Sequence, residues 1–355
     1  REAHTPPGWV YCDADLHERA KHKVFANSWQ FIGDETTLVR TPGQIHPFSL
    51  LEGCLNEPLL LTRGDDDAVR CMSNVCTHRA NLVCETPGVE RHLRCRYHGR
   101  RFSLDGTFQH MPEFEQVCNF PTPADNLAHV PLEKLGPLLF TSLQHAQPFA
   151  AWMQPVQDRI GWLPFREFRF DASRSRDYLV QCNWALYCEN YLEGFHIPFV
   201  HTSLNQTLDY GLYRTDLFHR GVLQLGMSKP GSPDPVFEVP AASPDSDRRI
   251  AAYYFWLWPN LMLNFYPWGL SLNVVRPLAV DRTRVSFLTY VWREDKLEQG
   301  AGAGLDRVER EDEAIVEAVQ KGLRSRLYTR GRYSPTREQG VHHFHRMLSA
   351  ALRDE

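Results

Sequence analysis

The sequence has no apolar run as long as a membrane span and no glycine-rich loop of the kind that holds nucleotide phosphates. Neither a G-x-G-x-x-G motif nor a phosphate-binding Gly-Lys-Ser loop occurs. The net charge is only −4, so the chain also lacks the strongly basic balance of a nucleic-acid-binding protein. We therefore predict a protein with no membrane partner, no nucleic-acid partner and no nucleotide site of its own.

A disulfide framework is also missing. The nine cysteines are an odd number, and the first residues show no charged-then-apolar signal peptide. We expect a reducing, cytoplasmic compartment, in which clustered cysteines with nearby histidines indicate a metal site rather than disulfide bonds.

The length of 355 residues is typical of two domains, and the pattern of elements predicts an α+β protein. Residues 1–28 are partly helical and are expected to pack on the catalytic domain. Short β-type runs separated by Gly, Pro, Asn and Asp indicate a small antiparallel β domain over 29–145. Residues 146–355 mix strands and helices and form the second domain.

Three local predictions bear on the site. Thr37–Arg40 has the composition of a β-strand. Helical spacing of apolar residues indicates helices over Trp184–Phe195 and Leu305–Arg326, and the second of these helices is amphipathic.

The strongest motif pairs Cys76-x-His78 with Cys95-x-x-His98. This composition suits a Rieske 2Fe–2S cluster, in which two thiolates bind one iron and two imidazoles bind the other. A structural zinc site uses the same residue types, but zinc fingers place their Cys pair and their His pair on separate elements. Here each half carries one Cys and one His, which favours the cluster.

A second metal site is indicated by His196 and His201, which flank Pro198. Pro198 is predicted to end a helix, with one histidine on its last turn and the other just beyond it. Two imidazoles and one carboxylate on one face leave coordination positions free for O2 and substrate, as in non-haem Fe(II) oxygenases.

The carboxylate has to come from another part of the chain. The predicted helix that begins at Leu305 carries Glu311, Asp312 and Glu313, and by spacing alone all three are candidates. Asp312 falls among apolar positions, whereas a solvated acidic run is the alternative interpretation of this segment.

These motifs together resemble the α subunits of Rieske non-haem iron oxygenases from about residue 29 to residue 352. The choline monooxygenase and quaternary-ammonium branch is the most similar one. Besides the metal motifs, the resemblance rests on Asn190–Glu193, Val319–Leu323, Gly331–Tyr333 and His342–His345. It implies a Rieske domain followed by a helix-grip catalytic domain, an antiparallel sheet with helices. The three histidines of the last segment are assigned a structural role.

The resemblance also implies the cofactors and their ligands. One 2Fe–2S cluster, one mononuclear Fe(II) and O2 as co-substrate are expected, with Asp312 as the third iron ligand. Glu193 is expected to act in catalysis as the acid that bridges His98 of one subunit to His196 of the next, within a homotrimer. Asn183 and Asn190 are possible residues of the second shell around the iron.

A separate NAD(P)H-dependent reductase with flavin and iron–sulfur groups is expected to supply electrons. Arg96, Arg100 and Arg101 near the cluster are predicted to be exposed, and they form either the docking surface for the reductase or a solvated basic loop. A Rieske electron carrier is the competing, non-enzymatic interpretation. The residues His196, His201 and Asp312 argue against it, because a carrier needs no open iron site.

The substrate is expected to be a small molecule that is hydroxylated or oxidatively N-demethylated, with a monooxygenase favoured over a dioxygenase. A quaternary ammonium compound is favoured because aromatic faces attract such cations. A neutral aromatic or alicyclic substrate is the alternative, since aromatics on strands usually belong to the core. The possible substrate cage consists of Tyr210, Tyr254, Trp256, Tyr266 and Trp268.

Overall fold

The structure is a computed structural model that describes residues 2–353. The helices in chain order are α1 (Ala14–Ala20), α2 (Glu35–Leu38), α3 (Phe149–Ile160), α4 (Trp184–Tyr191), α5 (Ile197–Val200), α6 (Thr202–Thr207), α7 (Leu305–Gly322) and α8 (Gln339–Leu352). Within 2–353 no helix has the length and the apolar character that crossing a bilayer requires.

The first strands in chain order are β1 (Gln30–Asp34), β2 (Gln44–Leu50), β3 (Glu57–Arg63), β4 (Val69–Ser73), β5 (Gly88–Val89), β6 (Leu93–Arg94), β7 (Arg101–Phe102), β8 (Phe108–His110), β9 (His129–Val130), β10 (Leu132–Leu135) and β11 (Leu138–Thr141). The remaining strands are β12 (Arg169–Val180), β13 (Arg214–Phe218), β14 (Gly221–Met227), β15 (Ile250–Leu257), β16 (Leu261–Tyr266), β17 (Gly269–Ala279) and β18 (Arg282–Val291). The predicted α+β class is confirmed.

The chain divides into two compact units, and one of them spans Ala26–Ala146. It contains a five-stranded sheet in the order β5-β2-β3-β4-β9 and two three-stranded sheets, β1-β11-β10 and β6-β7-β8. All strand pairs in these sheets are antiparallel. Its apolar core includes Leu60, Met72 and Phe102 together with both motif cysteines.

The prediction of a strand over Thr37–Arg40 is wrong, because the first two of these residues lie in α2. Asp34 caps that helix by accepting a hydrogen bond of 2.7 Å from the backbone N–H of Thr36. A side-chain cap of this kind satisfies an N–H that would otherwise lack a partner, so it offsets the β propensity of two adjacent threonines.

The second unit combines the N-terminal segment up to Phe25 with the chain from Gln147 onward. Its centre is a seven-stranded antiparallel sheet in the order β12-β18-β17-β16-β15-β14-β13. Strands β14 to β16 are buried along their whole length, as expected for strands that are covered on both faces. The N-terminal segment contacts α8, where the Tyr11 hydroxyl lies 3.2 Å from Nε2 of His345.

Candidate metal centres and active site

The two Cys–His loops in the unit Ala26–Ala146 share one backbone arrangement. In the first loop the N–H of Cys76 donates to the carbonyl of Asn81 (2.8 Å), and the N–H of Ala80 donates to the carbonyl of Cys76 (3.0 Å). In the second loop the N–H of Cys95 donates to the carbonyl of Arg100 (2.9 Å), and the N–H of Gly99 donates to the carbonyl of Cys95 (3.0 Å). The two loops are therefore matched turns, although the histidine is the third residue of the first turn and the fourth residue of the second.

Both loops need a left-handed backbone at the fifth residue of the turn. Ala80 has φ of 54° and Gly99 has φ of 76°. Glycine adopts this conformation freely, whereas alanine adopts it at some cost, since its Cβ approaches the backbone. The left-handed backbone at Ala80 is unfavourable, so the surrounding structure must maintain the turn that positions Cys76 and His78.

The four motif side chains fit a 2Fe–2S cluster. Cys76 and Cys95 are buried in the core of the unit, and the imidazole rings of His78 and His98 lie 4.8 Å apart. Burial raises the pKa of the Cys76 thiol, and the neighbouring Cys95 adds to that effect. Nδ1 of His78 is buried and has no hydrogen-bond partner among the described residues, so this nitrogen is free to act as a ligand.

Two polar residues support these loops. The Asn81 amide donates to Sγ of Cys95 at 3.6 Å, a contact of the kind that tunes the potential of a cluster sulfur. Arg100 is 2 % exposed, pairs with Asp125 at 2.6 Å and lies over the Phe108 ring at 4.9 Å. The prediction of an exposed Arg100 is therefore wrong, because this guanidinium forms part of the framework beneath the second loop.

In the second unit, two separate segments bring His196, His201 and Asp312 together, since the histidines flank α5 and the aspartate lies on α7. Nε2 of His201 lies 3.1 Å from Oδ1 of Asp312, and Nε2 of His196 lies 3.5 Å from the same oxygen. One donor atom from each residue falls within 4.8 Å of the others. Two imidazoles and one carboxylate in this arrangement suit a divalent metal of the Fe(II) type.

The histidines are positioned differently from the prediction. Helix α4 ends at Tyr191, and Pro198 lies in the first turn of α5, so it does not end a helix. Proline is tolerated there because an N–H in the first turn needs no helical partner. His196 precedes α5 and His201 follows it, so this single short helix sets the spacing of the two rings.

A carboxylate holds the outer nitrogen of each histidine. Oε1 of Glu193 lies 2.6 Å from Nδ1 of His196, and Oε2 of Glu311 lies 2.7 Å from Nδ1 of His201. Burial lowers the pKa of His201, but the carboxylates of Asp312 and Glu311 outweigh it, so that the pKa is raised overall. The groups that favour a proton on this ring also favour a metal cation, and the outer carboxylates fix which nitrogen faces the centre.

A cavity of about 100 Å³ opens beside these three residues. Apolar and aromatic side chains dominate its walls, as is common for small-molecule sites. The principal side chains are Tyr187, Asn190, Tyr191, Ile197, Leu204, Tyr213, Tyr254, Asn264, Tyr266, Phe287 and Glu309.

Comparison with known proteins agrees with both sites. The family described as "Ring hydroxylating alpha subunit (catalytic domain)" matches residues 164–354, and the Rieske [2Fe-2S] domain family matches residues 28–121. The chain belongs to the Rieske non-haem iron oxygenases. It is therefore an enzyme that uses O2 with one Rieske 2Fe–2S cluster and one mononuclear non-haem iron.

Characterised relatives of this oxygenase span almost the whole chain. Chloroplastic choline monooxygenase of Beta vulgaris is 27% identical over 99% of this chain and 78% of its own length. The carnitine monooxygenase oxygenase subunit of Escherichia coli (strain K12) is 28% identical over 100% of this chain and 95% of its own length.

Solved structures show the same fold. The quaternary ammonium Rieske monooxygenase CntA, in complex with its substrate L-carnitine, matches with a TM-score of 0.76 at 21% identity, over 99% of this chain and 96% of that one. Naphthalene 1,2-dioxygenase from Rhodococcus sp., bound to indole, matches with a TM-score of 0.75 at 19% identity, over 98% and 94% of the two chains. At these identities the likeness concerns the fold alone.

Only two residues of the predicted aromatic cage line the oxygenase cavity, namely Tyr254 and Tyr266. Trp268 stacks behind Tyr266, with ring centroids 5.3 Å apart, and faces a neighbouring cavity. Trp256 lies on the same face of β15 as Tyr254 but packs against Phe344 of α8 at 5.3 Å.

The fifth predicted cage residue, Tyr210, also lies outside the cavity lining. The Arg337 guanidinium covers its ring at 3.9 Å from the centroid, so this aromatic face already has a cation of the protein itself.

Of the two asparagines predicted to lie near the iron, only Asn190 lines the cavity. Asn183 is the N-cap of α4. Its side chain accepts a hydrogen bond from the N–H of Ala185 and donates one to the carbonyl of Val280. Asn183 therefore supports the helix and does not contact the metal centre, because its side chain is already used by the backbone.

Glu311, one of the three acids that spacing left open as the third iron ligand, contacts the outer nitrogen of His201. Tyr187 and Glu309 also line the cavity, and sequence reasoning did not single out either of them. Glu309 belongs to the charged face expected of an amphipathic helix, so nothing in its spacing marks it. Glu309 is nonetheless buried, and burial raises its pKa well above the usual range of a carboxyl group, against the effect of its hydrogen bond from Tyr187.

Proposed function

We propose that Cys76, His78, Cys95 and His98 bind the 2Fe–2S cluster and that His196, His201 and Asp312 bind the mononuclear iron. The observation that carries the second assignment is the approach of both Nε2 atoms to one Asp312 oxygen, at 3.1 and 3.5 Å. The functional domains on this assignment follow 29–145 and 146–355, with 1–28 belonging to the second.

When bound, the two metal centres supply one-electron transfer and the activation of O2. The protein supplies the surroundings. Glu193 and Glu311 hold the tautomers of His196 and His201, so that Nε2 of each ring faces the cavity. Tyrosine side chains keep the cavity largely apolar, so they exclude water and orient a small substrate beside the metal ligands.

The substrate we propose is a compound with a trimethylammonium group. Choline and carnitine are named in the relatives, and CntA has been solved with L-carnitine and with γ-butyrobetaine. Tyr191, Tyr213, Tyr254 and Tyr266 all line this cavity, and aromatic faces attract such cations by roughly 0.5–2 kcal/mol per contact. The reaction is a monooxygenation, and a product of the N–CH2OH type would break down as a demethylation.

We further propose a homotrimer in which the cluster of one copy serves the iron of the next. Phe195 and Phe199 beside the iron ligands are 41% and 80% exposed, and Tyr97 beside the cluster is 58% exposed. Exposed apolar surface at both centres suits an interface between copies. Glu193 would then bridge His196 to His98 of the neighbouring copy.

A separate NAD(P)H-dependent flavin and iron–sulfur reductase would supply the electrons. The reaction needs reducing equivalents, and the sequence has no nucleotide-binding motif. None of the nine cysteines, which all lie within residues 2–353, forms a disulfide bond, which suits a reducing compartment such as the cytoplasm.

The test is O2 consumption with product analysis, using reconstituted enzyme and a surrogate reductase. Choline is compared with 3,3-dimethylbutan-1-ol, its neutral tert-butyl isostere. Oxygenated product from choline alone supports the proposal. Equal turnover of both compounds, or turnover of the neutral compound alone, contradicts the cationic substrate and moves the search to neutral aromatic or alicyclic molecules.

A further inference from the structure

Glu309 is a buried acid in the wall of the oxygenase cavity. It lies on α7, three residues before Asp312, and is 2% exposed. Its Oε2 accepts a hydrogen bond of 2.5 Å from the Tyr187 hydroxyl. Its Oε1 has no partner among the residues that the structure describes.

An acid in this position is costly, because burying a carboxylate oxygen without a partner sacrifices its hydration. The protein offers no cation to offset that cost, since the described cavity lining contains neither lysine nor arginine. The other acids of the lining are already engaged, Glu193 with His196 and Asp312 with both iron-ligand histidines. The oxygen of Glu309 is therefore available to a ligand.

We propose that Glu309 is the counter-charge for the positive group of the substrate, an inference that rests on the proposed function. Burial raises the pKa of Glu309, and a cation beside Oε1 would lower it again, so the carboxyl group ionises when the substrate is bound. Tyr187 fixes Oε2, which leaves Oε1 for the substrate.

The aromatic walls and the acid have different roles in this arrangement. The faces of Tyr191, Tyr213, Tyr254 and Tyr266 attract a trimethylammonium group but also accommodate a neutral tert-butyl group of the same shape. Glu309 discriminates between the two, because only the cationic group offers its buried Oε1 a partner of opposite charge. Groups left unpaired by the wrong ligand give strong selectivity, whereas shape alone gives little.

The test is equilibrium binding to the anaerobic holoenzyme by calorimetry. The ligands are γ-butyrobetaine and 5,5-dimethylhexanoate, which differ by the exchange of N⁺ for carbon. Glu309→Gln is expected to raise the Kd of γ-butyrobetaine by about 30-fold or more, as when one partner of a buried charge pair is removed. The Kd of 5,5-dimethylhexanoate is expected to change by less than about threefold, the scale of an ordinary surface contact.

Two further variants complete the design. Glu313→Gln removes a carboxylate from the same helix outside the cavity lining and should leave both Kd values unchanged. Glu309→Asp keeps the charge but withdraws it by one methylene, so the Kd of γ-butyrobetaine should lie between those of the wild type and Glu309→Gln. Iron content and melting temperature are measured for each variant.

An unchanged γ-butyrobetaine Kd in Glu309→Gln would overturn the role of Glu309, while turnover of γ-butyrobetaine by the wild type would leave the proposed function standing. Equal losses of affinity for γ-butyrobetaine and 5,5-dimethylhexanoate would also overturn it, since they would indicate a packing role. If the wild type binds and oxygenates only 5,5-dimethylhexanoate, both the proposed function and this inference fail.

Discussion

The two units of this oxygenase build their metal centres in opposite ways. In the unit Ala26–Ala146 the candidate ligands come from two matched loops, each contributing one Cys and one His from neighbouring positions. In the catalytic unit, Asp312 reaches His201 across 111 residues of sequence, and Glu311 reaches the outer nitrogen of the same ring from the same distant helix. The first centre is set by local turns and the second by the packing of α7 against the α4–α5 region.

This difference implies different dependence on the metal. A cluster bound by both loops would cross-link them, so we expect it to contribute strongly to their order. The second centre is held by helix packing and by the carboxylates of Glu193 and Glu311, so we expect its framework to persist when the metal is lost.

The largest effect is expected for Cys95→Ser. Loss of a buried thiolate ligand should eliminate the visible absorbance of the cluster, abolish turnover and lower the melting temperature of the Rieske unit. Absorption spectroscopy, iron and sulfide analysis and calorimetry measure these effects. Cys84→Ser is the matched control, because burial raises the pKa of that thiol to about 11 and it belongs to neither motif. Retention of the cluster spectrum in Cys95→Ser would contradict the loop assignment.

Asp312→Ala should abolish turnover, by about a thousandfold or more, with little change in melting temperature. One iron per chain should be lost while the cluster spectrum stays intact, which metal analysis and absorption spectroscopy determine together. Glu313→Ala serves as the control and decides between neighbouring acids that spacing alone leaves open. A loss of the cluster in Asp312→Ala would show that the two centres are not separate.

Glu311→Gln should weaken iron binding about 10- to 100-fold, the usual effect of removing an outer carboxylate from a ligand histidine. Iron affinity is measured by competition with a chelator under anaerobic conditions. At saturating iron the variant should recover most of its turnover, because the three direct ligands remain. An iron affinity equal to that of the wild type would show that the 2.7 Å contact has no influence on the metal.

The smallest effects concern the aromatic residues. Tyr254→Leu should raise the KM for a trimethylammonium substrate about 2- to 30-fold, as expected for one lost cation–π contact. Trp256→Leu should leave the KM unchanged but destabilise the fold by about 3 kcal/mol, because Trp256 fills the core against Phe344. Steady-state kinetics and denaturant unfolding separate the two effects. If Trp256→Leu raised the KM and Tyr254→Leu did not, Trp256 rather than Tyr254 would contact the substrate.

The contrast between a centre built from local turns and one built by helix packing also explains which site residues the sequence could predict. The Cys–His motifs were identifiable because each half lies within a few residues, and His196 and His201 flank a single short helix. Glu309 could not be recognised, since an acid on an amphipathic helix normally faces solvent and only the tertiary packing turns this one towards the site. Spacing alone did not distinguish Asp312 from its neighbours, and the family resemblance was needed.

The predicted aromatic cage shows how far the sequence of a strand can predict which side chains line a cavity. Alternation along a strand indicates which side chains share a face, and Tyr254 and Trp256 do share one. Which end of that face lies beside the cavity depends on where α8 crosses it, and the sequence of β15 contains no information on that crossing.

The central proposal is that the cluster of one copy delivers electrons to the mononuclear iron of the next copy through Glu193. The most direct test is a single turnover, in which reduced enzyme freed of reductant is mixed with O2 and choline or γ-butyrobetaine. The wild type should form oxygenated product together with oxidation of the cluster. In Glu193→Gln, with both metals retained, product formation should be slowed about 10- to 100-fold. Cluster oxidation without product in the wild type, or an unchanged rate in Glu193→Gln, would contradict it.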